Sequence, residues 1–200
     1  MSHNNFDNVK GFMPKHEGNA LLRWAKKFSK IGSIIEIGTY CGKSALYLSL
    51  GALENNELVY SIDHHLGSEE HQLNEEYFDK ETYDFKKNRV DTFPLLIKNI
   101  NNFQANNIVP IISYSSIVAS KWTSKLSMVF IDGGHSIDAA MSDYVSWKSK
   151  ILFNGALVIH DIFENPKDGG QAPYEVYKKA LEDGFKLYER EDTIVCLIKS

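Results

Sequence analysis

The stretch Ser33-Ile-Ile-Glu-Ile-Gly-Thr-Tyr-Cys-Gly-Lys-Ser44 decides how the rest of this chain reads. Its opening is a short apolar run, interrupted only by Glu36 and closed by Gly38. A run of that length ending in glycine reads as a buried strand. After Gly42, Leu46, Leu50 and Leu53 recur at i, i+4 and i+7, with Ala45 and Ala52 alongside, the spacing of a helix face. Strand, glycine turn and helix make the first part of a βαβ unit.

The alternation continues outward from there. Residues 58–62, 108–112, 127–131 and 156–160 read as further strands, and Pro110 assigns 108–112 to a sheet edge. Phe93, Leu96, Ile97, Ile100 and Phe103 form a helical stripe, as do Ile137, Ala140, Met141, Tyr144 and Trp147. Val176, Tyr177, Ala180 and Leu181 mark another helix, and Leu21, Trp24, Ala25 and Phe28 one that precedes the first strand. Residues 185–190 and 193–199 read as a closing hairpin, turning at Glu191-Asp192. Strands alternating with helices give right-handed crossovers and a parallel sheet covered on both faces. The hairpin is joined too tightly for a crossover, so its pair is antiparallel. The expectation is an α/β fold, a Rossmann-like three-layer αβα sandwich with a mostly parallel sheet and an antiparallel last strand.

The 200 residues allow one domain, taken as 1–200, with 1–30 as an N-terminal extension and helix. The segment 63–91 is polar and long for an αβ loop, and is read as a lid or acceptor segment. Lys+Arg number 22 against 26 Asp+Glu, a net charge of −4, which argues against a nucleic-acid partner. Cys41 and Cys196 make neither a disulfide framework nor, alone, a zinc site. No apolar leader and no run of ~18 uncharged apolar residues is present, so no membrane association and a cytoplasmic location are expected.

Ligands of such sheets bind beyond the carboxyl ends of the strands, where the strand order switches. Asp63, Asp132 and Asp161 end three strands, and Glu36 stands near the end of the first. Carboxylates crowded at one rim suit a cationic ligand. The glycine pattern lacks G-x-G-x-x-G, which disfavours a nicotinamide cofactor. Gly38-Thr-Tyr-Cys-Gly42-Lys43-Ser44 is one residue short of a phosphate loop, and 128–132 resembles a magnesium-binding strand. A nucleotide phosphotransferase is therefore one alternative, although Glu36 would repel a phosphate. A tight turn without any ligand is the plainest reading.

Glu36-Ile-Gly-Thr-Tyr-Cys-Gly-Lys-Ser44 resembles motif I of class I S-adenosylmethionine-dependent methyltransferases. Val129-Phe-Ile-Asp-Gly-Gly-His-Ser136, followed by Asp143, Trp147, Gly155 and Ile159-His-Asp161, resembles methyltransferase family 24. Catechol and macrolide-sugar O-methyltransferases are more distant relatives. The resemblance spans 31–200 and implies seven strands, with S-adenosyl-L-methionine as the cofactor. Glu36, Gly38, Tyr40, Gly42 and Ser44 then form the cofactor loop, and Asp63, with His64 beside it, takes the ribose hydroxyls. Ser115 and Asp132 complete the cofactor set. Tyr114 stands where members carry an acid near the adenine, which departs from the pattern.

The expected reaction is methylation of a hydroxyl on a small molecule, a sugar or an aromatic. His135, three residues after Asp132, is the candidate general base by analogy with the macrolide-sugar relatives, and Asp132 the second catalytic candidate. An imidazole with a pKa near ~6.5 is largely neutral at pH 7, as a base must be. Its plainer reading is a cap for the helix starting near Ser136; Asp143 and Trp147 are read as structural. A divalent cation (Mg²⁺, Mn²⁺ or Ca²⁺) would be held by Asp132, His160 and Asp161. Family members place an acid or Asn beside the second Asp, whereas here its neighbours are His160 and Ile162. Phe6, Phe12 and Met13, residues 64–85 and residues 163–174 are the candidate acceptor walls. With no room for a substrate domain, the acceptor is small or a homodimer completes the pocket. A non-catalytic protein that keeps the cofactor site is the third reading.

Overall fold

The computed structural model describes residues 5–68, 72–75, 78–134 and 136–200. The candidate base His135 lies outside the described residues. β1 (Ile34–Ile37) is buried at all four positions and pairs in parallel with β2 (Val59–Asp63) on one side and β6 (Leu126–Ile131) on the other. β5 (Ile108–Ile112) forms the edge beside β2, as its proline requires. Beyond β6 lie β7 (Ile151–Ile159), β9 (Ile194–Lys199) and β8 (Phe185–Glu191), giving the order β5-β2-β1-β6-β7-β9-β8. β9 is antiparallel to both of its neighbours. The order reverses between β1 and β6, which puts the switch point at the glycine turn.

α1 (Lys15–Phe28), α2 (Lys43–Leu53) and α3 (Phe93–Phe103) cover one face, packing on Ile34, Val59, Phe130 and Val158. α4 (Ser115–Lys121), α5 (Ile137–Trp147) and α6 (Ala172–Glu182) cover the other, against Ile35, Ile62, Val129 and Leu157. Side chains alternate between faces along a strand. Glu36, Ser61 and Asp63 therefore share the α1–α2 face with Ile34 and Val59. Continued past the ends of β6 and β7, the same period brings Asp132 and His160 to that face.

α1 lies close on α2 because of two glycines. A Cβ at Gly51 would stand 2.5 Å from the Leu22 carbonyl oxygen, and one at Gly18 would strike the Tyr47 ring. Trp24 on α1 is fully buried, and its indole N–H donates to Glu189 of β8 at 2.7 Å. Truncating such a tryptophan costs about 3–5 kcal/mol.

Several sequence expectations need adjustment. Phe6 is no acceptor wall: it is buried in the core, edge-on to Tyr47 and Phe103 at 4.8 and 5.0 Å. α4 has only seven residues and one buried side chain, Ala119, too little for a helical stripe to show. β7 begins at Ile151, five residues early, because its exposed Phe153 and Asn154 break the apolar run. The hairpin turns at Asp192-Thr193, one residue later than read. Within 63–91, β3 (Tyr83–Asp84) and β4 (Arg89–Val90) pair antiparallel, and buried His65, Thr82 and Thr92 anchor the segment.

Candidate active site

Gly38 leaves β1 at φ +87°, and a Cβ there would come within 2.1 Å of the Asp132 carbonyl oxygen. Only glycine lets the turn lie against the end of β6. Gly42, also left-handed at φ +91°, starts α2. Leu46 N–H makes the first intrahelical bond, to Gly42, so the amides of Lys43, Ser44 and Ala45 precede the ladder. They face an anion favourably.

Asp63 holds this turn in place. Its Oδ2 accepts the Thr39 and Tyr40 amides at 3.0 and 2.8 Å, and Oδ1 accepts His65 N–H at 2.7 Å. An ionised carboxylate offers about four acceptor sites, so one remains, on Oδ1. The sequence reading gave Asp63 two ligand hydroxyls, and the turn has taken most of that capacity. It has also taken the two loop amides that a phosphate would need.

Glu36 lies beneath the turn, fully buried, with neither oxygen hydrogen-bonded among the described residues. Thr39 Oγ1 and Ser61 Oγ stand beside it, and among the described residues neither makes a hydrogen bond of ordinary geometry. Burial pushes the Glu36 carboxyl up to about 7; the hydroxyls of Ser44, Ser61 and Thr39 offset part of that rise, and the charge of Asp132 adds to it. Ser44 is buried at the first turn of α2, between Glu36 and the cleft.

Asp132 and Asp161 end adjacent strands, as read from the sequence, and His160 lies between them. His160 is buried; Nδ1 is 2.9 Å from Asp132 Oδ1 and 3.6 Å from Asp161 Oδ1, and Nε2 is 2.8 Å from Glu17 Oε2. Burial alone would lower its pKa, but Asp132, Glu17 and Asp161 hold it well above the ordinary imidazole value. Glu17 is fully buried in the first turn of α1. Burial raises its carboxyl, but the bonds from His160 and Thr193 outweigh this and keep it below the usual value. Sequence reasoning missed Glu17, though a signal existed: it continues the Leu21, Trp24 and Phe28 stripe one turn back, a carboxylate on an apolar face.

The donor atoms of Asp132, His160 and Asp161 lie within 4.8 Å of one another, close enough for an ion. Both ring nitrogens of His160 face carboxylate oxygens, Nε2 that of Glu17 and Nδ1 those of Asp132 and Asp161. A ring donating from Nε2 to Glu17 would leave Nδ1 on the side of Asp132 and Asp161, where a divalent ion would be held.

These groups line a cleft of about 900 Å³ along the carboxyl edge. Ser115 lines it too, but its Oγ accepts the Trp147 indole N–H at 2.8 Å and stands beside buried Asp143. Asp143 is raised by that burial and reaches the cleft, whereas Trp147 is core. His64 and exposed Tyr114 meet at 4.9 Å, and exposed Phe12 lies 5.6 Å from Tyr40. Met13 and Phe163 also reach the cleft. Ser136 caps α5 by accepting Ala139 N–H at 3.3 Å.

A sheet of this order, with a glycine turn after β1 and an acidic rim at the switch point, is the fold of class I S-adenosylmethionine-dependent methyltransferases. Residues 35–162 match the family model Methyltransf_24, described as a methyltransferase domain, and the chain belongs to that family. Among solved structures, it is similar to the SAH-bound Podospora anserina methyltransferase PaMTH1, with a TM-score of 0.66 at 14% identity over 94% of this chain and 80% of that one. The O-methyltransferase NovP gives 0.65 at 13% over 92% and 78%. The O-methyltransferase TomG from Streptomyces achromogenes, in complex with SAM, gives 0.62 at 11% over 94% and 82%. The family match sets aside the phosphotransferase alternative. Among the described residues, no helix is long and apolar enough to cross a membrane.

Proposed function

We propose that this methyltransferase uses S-adenosylmethionine to methylate a hydroxyl of a small, uncharged or cationic acceptor. The observation that carries the reading is buried Glu36, whose oxygens make no hydrogen bond of ordinary geometry among the described residues, beneath an acidic cleft. Asp63, Asp132, Asp143, Asp161 and Asp168 line that cleft against Lys10 and Lys43, and Lys10 is already paired with Asp79 and Glu81. Such a field favours a sulfonium and an ammonium. The volume falls in the usual range of pockets, roughly 300–1,000 Å³, at its upper end, which suits a cofactor and a small acceptor together.

When bound, S-adenosylmethionine supplies a methyl group on a positive sulfur, to be displaced in line by the acceptor oxygen. The first turn of α2 would hold its carboxylate, and the remaining site on Asp63 a ribose hydroxyl. Tyr114 and His64 offer rings to the adenine, and Ser115 is a weaker candidate because its hydroxyl is engaged. Phe12, Met13 and Phe163 would exclude water from the acceptor. Asp132 orients the groups at the transfer end, and His135, assigned by its spacing from Asp132, takes the acceptor proton.

Calorimetry with S-adenosylmethionine, S-adenosylhomocysteine and ATP–Mg²⁺ tests the cofactor, and binding of ATP alone overturns the proposal. His135→Ala is expected to reduce kcat by about 10²-fold while S-adenosylhomocysteine binds as before. Equal loss of affinity removes the base assignment. The closest rival, a binding protein without turnover, is favoured if the cofactor binds but no hydroxyl in a sugar and aromatic panel is methylated.

A further inference from the structure

Aspartates dominate the wall of the cleft, and its lysines are Lys10 and Lys43. Lys10 is paired with Asp79 and Glu81. Lys43, the half-buried first residue of α2, makes no ion pair among the described residues. It also stands at an unfavourable place. The helix macrodipole is positive at that end, and the first turn of α2 holds no acidic residue to offset a second positive charge. An anion bound there would relieve both. The stem of Lys43 is nonetheless seated. Gly11 has φ +151°, and a Cβ there would stand 2.9 Å from Lys43 Cβ and 3.3 Å from its Cδ, so the backbone of the N-terminal segment lies along the methylene chain. Val9 and Met13 on either side of Gly11 are buried, which fixes that segment. A packed stem gives up rotamer freedom before any ligand arrives and leaves the charged head to the cleft.

We propose that Lys43 selects the cofactor: its ammonium pairs with the methionine carboxylate and makes the site prefer S-adenosyl ligands that carry that group. An acidic wall attracts a sulfonium and an ammonium but repels a carboxylate. The α2 amides alone meet that carboxylate with partial charge, equivalent to about half an elementary charge. Lys43 adds a whole charge at the same place, in a charge-assisted bond roughly twice as strong as a neutral one. It thereby sets which end of the ligand lies beside α2. The inference rests on the reading of the cleft as an S-adenosylmethionine site.

The test is calorimetry on the full chain with two ligands, S-adenosylhomocysteine and its decarboxylated analogue, which keeps the ammonium. Lys43→Met keeps most of the stem and removes the charge. Its affinity for S-adenosylhomocysteine should fall about tenfold, the scale of one hydrogen bond to a charged group. Its affinity for the analogue should hold or rise, because a cation has been taken from beside another cation. Lys43→Arg, which keeps the charge, should retain the wild-type preference. Binding of the analogue shows that each variant is folded, and Lys43→Gln is a second neutral variant should Lys43→Met fold poorly. Equal losses for both ligands would assign Lys43 to packing and overturn the proposal. So would unchanged affinity for S-adenosylhomocysteine in the neutral variants, or a loss in Lys43→Arg as large as in Lys43→Met. A wild-type protein that binds neither ligand overturns the methyl-transfer reading itself, and this proposal with it.

Discussion

Glu36→Gln isolates the cost of the buried carboxylate beneath the glycine turn. In the folded chain, burial raises this group from 4.5 to about 7. In the unfolded chain, water restores the ordinary value. Below pH 4.5 both states hold the proton, and Glu36 makes no pH-dependent contribution. Between 4.5 and 7 the unfolded state releases it first, so stability falls as pH rises, by up to about 1.36 kcal/mol per unit. Above 7 the folded group is ionised too, and the full penalty remains. The rise corresponds to about 3 kcal/mol, to within about one unit of pKa. A buried glutamine has its own fixed cost, but that cost does not vary with pH. Urea unfolding of both proteins from pH 4 to pH 9 should therefore show the variant gaining about 3 kcal/mol on the wild type across the interval, with a plateau at each end. Parallel profiles would mean that Glu36 is solvated or paired in solution, and would refute the reasoning. A cationic cofactor favours the ionised form, so calorimetric binding near pH 6.5 should release a proton that Glu36→Gln does not.

The other expectations follow from particular contacts. Gly38→Ala drives a methyl into the Asp132 carbonyl, and thermal unfolding should show a loss of roughly 1–3 kcal/mol together with lost cofactor affinity. Asp63→Ala frees the Thr39, Tyr40 and His65 amides, so calorimetry should register weaker S-adenosylhomocysteine binding by more than about tenfold; unchanged affinity would contradict its place in the site. Trp147→Phe leaves Ser115 Oγ without its donor and should destabilise the chain by about 1–3 kcal/mol in urea unfolding. Cys41 and Cys196 are both buried, and burial pushes the Cys41 thiol up to about 12, so a thiol reagent at pH 8 should label the native protein only as fast as it opens.

The sheet was legible because its strands announce themselves one at a time. Apolar runs of five, four of the five followed by glycine or a carboxylate, need no knowledge of their partners, and Pro110 marked its own strand as the edge. Elements with little buried surface were silent: α4 contributes one buried residue, and the β3–β4 ribbon pairs only two residues a side. The rim carboxylates were legible for the same local reason as the strands they end.

What each carboxylate does was decided by tertiary structure. From the sequence, Asp63 was a ligand for two hydroxyls and His160 a ligand for a metal. In the fold, Asp63 spends most of its acceptors on the turn, and His160 gains a buried partner, Glu17, that the sequence did not show. Glu17 and Thr193 are 176 positions apart, and nothing local to either reveals the bond between them. Sequence alone determined which residues stand at the strand ends, because strand period and apolar runs are properties of neighbouring residues. Only the folded chain determined how many hydrogen bonds each already makes, because a side chain's remaining capacity depends on what distant segments bring to it.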